Sequence, residues 1–267
     1  MKIQYLLTLV KTEKKEMIKL INNLNIDGEI LVGNQLMENE SQYVIQNNNY
    51  KARIFNLTSR GVSRNRNFLI LKSDADYITF LDDDIYYEKG IQKDIERILS
   101  ENQYNCTRFN VVSDNEKRPI PQLKKEGFVS FRNLTSFGVW GGFYKRQFLL
   151  DNDIFFNERV GPGTEVNHGE DGLFNKTFVQ YSKIYSIPKV AFRAKQLEST
   201  WHGEKRNLEK ELISHGYVYY LLYGKFAQIM SILFLLTHMS HYPKNIRYKT
   251  LRRYMKIGIK KSKEENK

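Results

Sequence analysis

The sequence predicts an α/β protein with a mainly parallel central sheet and a basic, helical segment behind it. Three observations carry that prediction. Strand-like and helix-like stretches alternate through roughly the first 80 residues, as expected of parallel strands joined by crossover helices. Three consecutive aspartates, Asp82, Asp83 and Asp84, close one of those strands. Charge is concentrated at the end of the chain: residues 241–267 hold ten Lys or Arg against Glu264 and Glu265, so +8 of the formal +12 lies there.

The elements follow in order. Ile3–Val10 is apolar apart from Gln4, Tyr5 and Thr8 and ends at Lys11, without a small-residue cleavage site behind it, so it reads as a first strand and not a signal peptide. Lys14–Asn23 has helical spacing, residues 29–32 form a second strand, Asn47, Asn48 and Asn49 mark a loop, and residues 53–57 a further strand. Residues 63–71 are helical, with Phe68, Leu69 and Leu71 as apolar positions, and Tyr77–Leu81 is the strand that runs into the aspartates. Residues 90–99 are a helix, and Pro119 and Pro121 mark a loop region.

Composition limits the possibilities. At 267 residues and 41% hydrophobic residues, the chain suits one large domain or a domain with an appendage. Its lone cysteine, Cys106, excludes an intramolecular disulfide and a cysteine-based zinc cluster, and leads us to expect a cytosolic address. Outside the last 27 residues the chain is only mildly basic, which favours a local electrostatic anchor over a surface that binds nucleic acid.

Several side chains are candidates for chemistry. On an extended chain Asp82 and Asp84 would point to one side and Asp83 to the other, so the outer pair could share one hard cation, Mg2+ or Mn2+. The sheet edge beyond strand ends is where α/β proteins bind ligands. In the run 60–67 (RGVSRNRN), Gly61 and Ser63 suit a tight helix entrance, with Ser63 as cap, and free amides near Arg64 and Arg66 would favour an anion such as a diphosphate. Trp140 offers a flat face beside Gly141, where backbone can approach a ligand. Glu170 and Asp171 begin a helix-like stretch and could serve as caps or as a general base. In a later polar turn, Trp201 could stack on a sugar and His202 could complete a metal shell or contact phosphate.

The ordered set resembles the inverting family 2 glycosyltransferases with the GT-A fold, and within them the bacterial branch that builds capsular and other surface polysaccharides. The resemblance spans roughly residues 1–225 and rests on Asn34-Gln35, the GxSRxRN run at 61–67, the aspartate triplet, the segment 154–158 (IFFNE) before a glycine loop, Gly169-Glu170-Asp171 and the Ser-Thr-Trp turn at 199–201. It implies a GT-A domain over residues 1–210 and a helical, basic appendage over 211–267. By resemblance, Asp82 and Asp84 hold the metal and diphosphate. Asp83 lies near the ribose or donor sugar, and Thr8, Gln35 and Arg64 line the nucleotide. Asp171 is the base, with Glu170 its rival, and Trp140, Gly141 and Trp201 belong to the sugar side. The implied donor is a nucleotide sugar, with uridine diphosphate the expected nucleotide, and the acceptor a hydroxyl of a glycan or lipid-linked oligosaccharide.

Residues 217–237 are aromatic and aliphatic but contain Gly224, Lys225, Gln228 and Ser231, so we expect an interfacial or core-packed helix there, not a spanning one. With the basic segment behind it, this suggests peripheral attachment to an anionic membrane at its cytoplasmic face. Two other functions compete: a relic of the same fold that binds nucleotide or glycan without turnover, and a nucleic-acid binder, which leaves both acidic centres unexplained.

Overall fold

The structure is a computed structural model that describes residues 1–130, 134, 137–195, 207–243 and 245–266. Its centre is a ten-stranded sheet. Five strands form its first half: β1 (Ile3–Val10), β2 (Gly28–Gln35), β3 (Ser41–Gln46), β4 (Tyr50–Asn56) and β5 (Tyr77–Leu81). The second half comprises β6 (Ile85–Tyr87), β7 (Cys106–Ser113), β8 (Gly127–Phe128), β9 (Gly142–Lys145) and β10 (Tyr185–Ala194). The order across the sheet is β3-β4-β2-β1-β5-β9-β7-β10-β6, with β8 beside β10.

The parallel block is β4-β2-β1-β5, and β7 pairs parallel with β10. The other pairings are antiparallel, so the sheet is mixed where the sequence suggested a mainly parallel one. Part of the difference is β3, an edge strand that reading the sequence missed. Its residues are half or fully exposed, so it lacks the apolar alternation that marks a strand with one buried face. Asn47 closes its hairpin to β4, its Oδ1 accepting from the N–H groups of Asn49 and Tyr50.

Helices cover both faces. Side chains alternate across β1, so Tyr5, Leu7 and Leu9 join one core with α1 (Lys14–Asn23) and α3 (Gln92–Glu101). Leu6 joins the other core, with α2 (Val62–Lys72), α4 (Arg146–Asp151) and α5 (Glu170–Tyr181). Cys106 is buried there as a free thiol.

The parallel strands end together at one edge, which receives the loop before α2, the Asp82–Asp84 segment and, because β9 runs opposite to β5, the backbone leading into Gly142. The triplet is not extended. A turn closed by the Ile85 N–H to the Asp82 carbonyl at 3.2 Å folds it, so the alternation expected to aim Asp82 and Asp84 together does not apply. The turn forms because the chain must reverse at once into β6, the edge strand beyond β10.

Helix α6 (Leu208–Tyr223) packs on α5, and α7 (Ala227–Thr237) and α8 (Tyr248–Glu265) pack on α6. Gly216 and Gly258 allow α6 and α8 to touch: a Cβ on Gly216 would lie 2.1 Å from the Met255 carbonyl oxygen, and one on Gly258 would lie 1.9 Å from that of Ile213. Gly224, at φ 53°, breaks the apolar stretch between α6 and α7. The two helices then fold back on each other, so that Phe234 of α7 reaches His215 of α6 with ring centroids 5.0 Å apart.

Candidate active site

The site is organised by α2, whose polar side chains tie it to several other parts of the chain. Gly61 begins the helix at φ 116°, and its N–H donates to Gln35 Oε1 at 2.8 Å, fastening the loop to the end of β2. Gln35 is buried, with that oxygen engaged. Ser63 does not cap the helix; its hydroxyl donates to the Val160 carbonyl at 2.5 Å. Asn65 Nδ2 donates to the Gly33 carbonyl at 2.7 Å, and a Cβ on Gly33 would collide with the Asn65 amide. Asn67 exchanges two bonds with the backbone of Phe156, at 2.9 and 2.8 Å. Arg64 is on the exposed side and pairs with Glu158 at 2.9 Å.

Arg66 occupies the centre. Its side chain is 3% exposed, Nη2 meets Asp82 Oδ1 at 2.9 Å, Nη1 meets Asp171 Oδ1 at 2.7 Å, and Glu170 Oε1 lies 3.8 Å away. The guanidinium also lies 5.2 Å from the ring centre of Phe156 and 5.9 Å from that of Phe80. Burial favours loss of its proton, but Asp171, Asp82 and Glu170 outweigh that and raise its pKa. One buried cation therefore bridges the aspartate turn after β5 and the acidic start of α5, two centres that are 89 positions apart in the chain from Asp82 to Asp171.

Gly169 makes the second centre possible. It begins α5 in the left-handed region at φ 95°, and a Cβ there would lie 2.7 Å from Val218 of α6. Asp171 receives two donors: Arg66 at Oδ1 and the Val139 N–H at Oδ2, 3.1 Å away. Desolvation raises the pKa of both carboxyls. Glu170 is pushed up to about 8, first by burial and then by the neighbouring Asp171 charge. Asp171 is raised by burial, opposed by Arg66. The closer donors, Arg66 and the Val139 N–H, belong to Asp171 and favour its charged form over that of Glu170. Each Asp171 oxygen still has a second lone pair with which to accept a proton.

Asp83 is largely exposed, yet lost hydration against the turn, and then Asp82, raise its carboxyl pKa. Asp83 and Asp84 line a small cavity of about 40 Å³ with Tyr86 and Lys195, and the Lys195 N–H donates to the Asp84 carbonyl at 2.9 Å. Thr8 lies half-buried on β1 opposite Gly33. Trp140 is half-buried, and Gly141 is buried at φ 83°, where a Cβ would lie 2.9 Å from the Phe109 carbonyl oxygen. Close packing on β7 thus accounts for that glycine. Arg108, also buried, donates to the carbonyls of Gly138 and Trp140 at 2.8 and 3.3 Å, shaping the same backbone. Trp201 and His202 lie outside the described residues.

The structure thus gathers Asp82, Glu170 and Asp171 at one point and leaves Arg64 at its rim. Arg66 and Arg108 were not singled out for these roles from sequence. Helical spacing held a signal for Arg66: Ser63, Arg66, Asn67 and Ile70 share one face of α2, and all are buried, whereas Arg64 does not lie on that face. A larger cavity of about 280 Å³, lined by Asn25, Asp27, Asn47, Asn49, Tyr50 and Lys89 among others, lies at the starts of β2 and β4, the opposite edge from the carboxylates.

The profile of Glycosyl transferase family 2 matches residues 27–161, just over half of the chain. No curated protein matches. Among solved structures, S. aureus TarS 1–349 in complex with UDP-GlcNAc is similar at a TM-score of 0.63 and 20% identity, covering 92% of this chain and 74% of that one. The same fragment in complex with UDP gives 0.62 and 19%, covering 93% and 76%. A longer TarS structure gives 0.60 and 18%, and there the match spans only 46% of that chain. At these identities the structures establish the GT-A fold.

Proposed function

We propose that this chain, which belongs to glycosyl transferase family 2, transfers a sugar from a uridine diphosphate donor to a hydroxyl of a glycan or lipid-linked acceptor, with inversion. Glycosyl transfer is the reaction class of the family; the donor and acceptor are our reading. The observation that carries it is the Arg66 bridge, which holds the Asp171 carboxyl beside the aspartate turn at the ligand-binding edge of the sheet. TarS supports the choice of nucleotide, since its solved structures contain UDP and UDP-GlcNAc.

In the transfer, Asp171 takes the proton of the acceptor hydroxyl as its oxygen attacks the anomeric carbon. The bond from that carbon to the diphosphate oxygen breaks on the opposite face, and the electron pair leaves with the diphosphate. Arg66 fixes the carboxylate in position. Burial and the neighbouring Asp171 charge favour the protonated form of Glu170, which suits it less to the role of base.

The donor set of the turn fits a hard cation. Asp82 is partly exposed with only Oδ1 on Arg66, and Asp83 and Asp84 share the turn. Among the described residues, no group of three His, Cys, Asp or Glu forms a ready-made cage, and Mg2+ and Mn2+ often take one or two carboxylates and complete their shell with substrate phosphates and water. By the family resemblance, and not by strand alternation, Asp82 and Asp84 would hold Mn2+ or Mg2+, which when bound offsets the charge on the leaving diphosphate.

Binding can be read by thermal shift with nucleotides and nucleotide sugars, with and without manganese, on the native chain and Asp84→Asn. Stabilisation by a uridine nucleotide that requires both manganese and Asp84 is the expected result. A folded protein that responds to no nucleotide would overturn the reading.

A further inference from the structure

Helix α7 is apolar on two opposite faces. Ala227, Ser231 and Leu235 turn inward, and Leu235 packs with Leu212, Leu251 and Met255. On the other side, Phe226, just before the helix, and Ile229, Leu233 and Leu236 recur at helical spacing and are 56%, 57%, 50% and 59% exposed. Among the described residues nothing covers them. A helix that is apolar all round belongs in a core or in lipid, and here only one side has a core.

By length and composition, Leu208–Thr237 could cross a membrane, but its folded geometry forbids it. His215 and Phe234 would be about 28 Å apart on one straight helix, whereas their rings are 5.0 Å apart. After the break at Gly224, α6 is about 24 Å long and α7 about 16 Å, both short of a hydrocarbon core of about 30 Å. The outer face of α7 can therefore lie in a membrane interface without spanning it.

Charge decides between a lipid surface and a second copy. Helix α8, packed beside α7, presents Lys249, Arg253, Lys256, Lys260 and Lys263 on the side opposite its buried Leu251, Met255, Gly258 and Ser262. Lys225 stands at the start of the α7 stripe. Two copies joined across this region would bring together two segments of +8, whereas an anionic bilayer attracts both.

We infer that the outer face of α7 is a docking surface for an anionic membrane, with Phe226, Ile229, Leu233 and Leu236 entering the headgroup boundary and the basic segment 241–267 supplying longer-range attraction to the lipid phosphates. The same helices reach the catalytic helix, since Val218 of α6 packs against Gly169 and Lys176 of α5 donates to the Leu221 carbonyl at 2.6 Å. Docking would thus fix the site relative to the bilayer.

The test is flotation of the full chain with phosphatidylcholine vesicles, with or without phosphatidylglycerol, using the native protein, Ile229→Ser/Leu233→Ser and Lys256→Gln/Lys260→Gln, each first shown folded by circular dichroism. Light scattering in solution accompanies it. The native chain should bind the anionic vesicles at least ten-fold better than neutral ones, and the serine pair should weaken that binding at least ten-fold. The glutamine pair should weaken it less and flatten its salt dependence. Equal binding by native and serine variants, no vesicle binding, or a native dimer that the serine pair dissolves would each overturn the inference. Vesicle binding is read without any sugar donor, so its failure leaves the transfer reading untouched.

Discussion

Arg66 and the lysine and arginine row of α8 carry the same sign of charge in opposite surroundings. Arg66 is buried among three carboxylates over aromatic rings, with its guanidinium fork fixed on two of them. The α8 row stands in water, and the ion pair described within it, Lys260 with Glu264, is 3.8 Å long and exposed. Removing hydration makes a charge costly unless it is paired, so Arg66 governs the local fold and the protonation of its neighbours. A solvated charge contributes little to its own protein and remains available to a partner.

The sharpest way to break that contrast is Arg66→Met, which leaves Asp82, Glu170 and Asp171 crowded without their cation. We expect a loss of about 3–5 kcal/mol in urea unfolding, with transfer abolished. Arg66→Lys sharpens the same point, because a single ammonium cannot span both aspartates as the fork does, and it should recover only part of the loss. Gly169→Ala acts at the seam between the two regions. Its φ of 95° and the contact with Val218 predict a cost of about 1–3 kcal/mol, read as a lowered melting temperature.

Glu170→Gln tests the buried side by pH. Its folded pKa of about 8 stands above the ordinary 4.5, so the folded protein keeps a proton that the unfolded chain releases. The native protein should therefore lose stability as pH rises from about 4.5 to 8, and Glu170→Gln should flatten that decline in melts at pH 5 and pH 8. The smallest effect belongs to the exposed side: Lys256→Gln/Lys260→Gln should change unfolding stability by less than about 0.5 kcal/mol.

These contrasts also mark what could be read from the chain. Local patterns were legible: β1, α1 and β5 lie where apolar spacing put them, and the family resemblance found both acidic centres. Pairings across the fold were not. Ser63 reads as a helix cap because caps are local, whereas it bonds to Val160, 97 positions away. Arg66 reads as one more basic residue near an anion because both its partners come from other elements. The aspartate triplet reads as extended because nothing local announces that β6 must begin at once. Gly224 was visible as an interruption, but the return of α7 onto α6 depends on packing that a hydropathy pattern does not encode.

The most direct test of the account is release of UDP from a panel of uridine diphosphate sugars, in the presence of manganese, by the native chain and by Asp171→Asn. The account predicts release by the native enzyme and a fall of about 10²–10⁴-fold in the variant, which should still bind the donor and stay folded. Release at the native rate by Asp171→Asn, or none from any donor by a folded native chain with a suitable acceptor present, would contradict it.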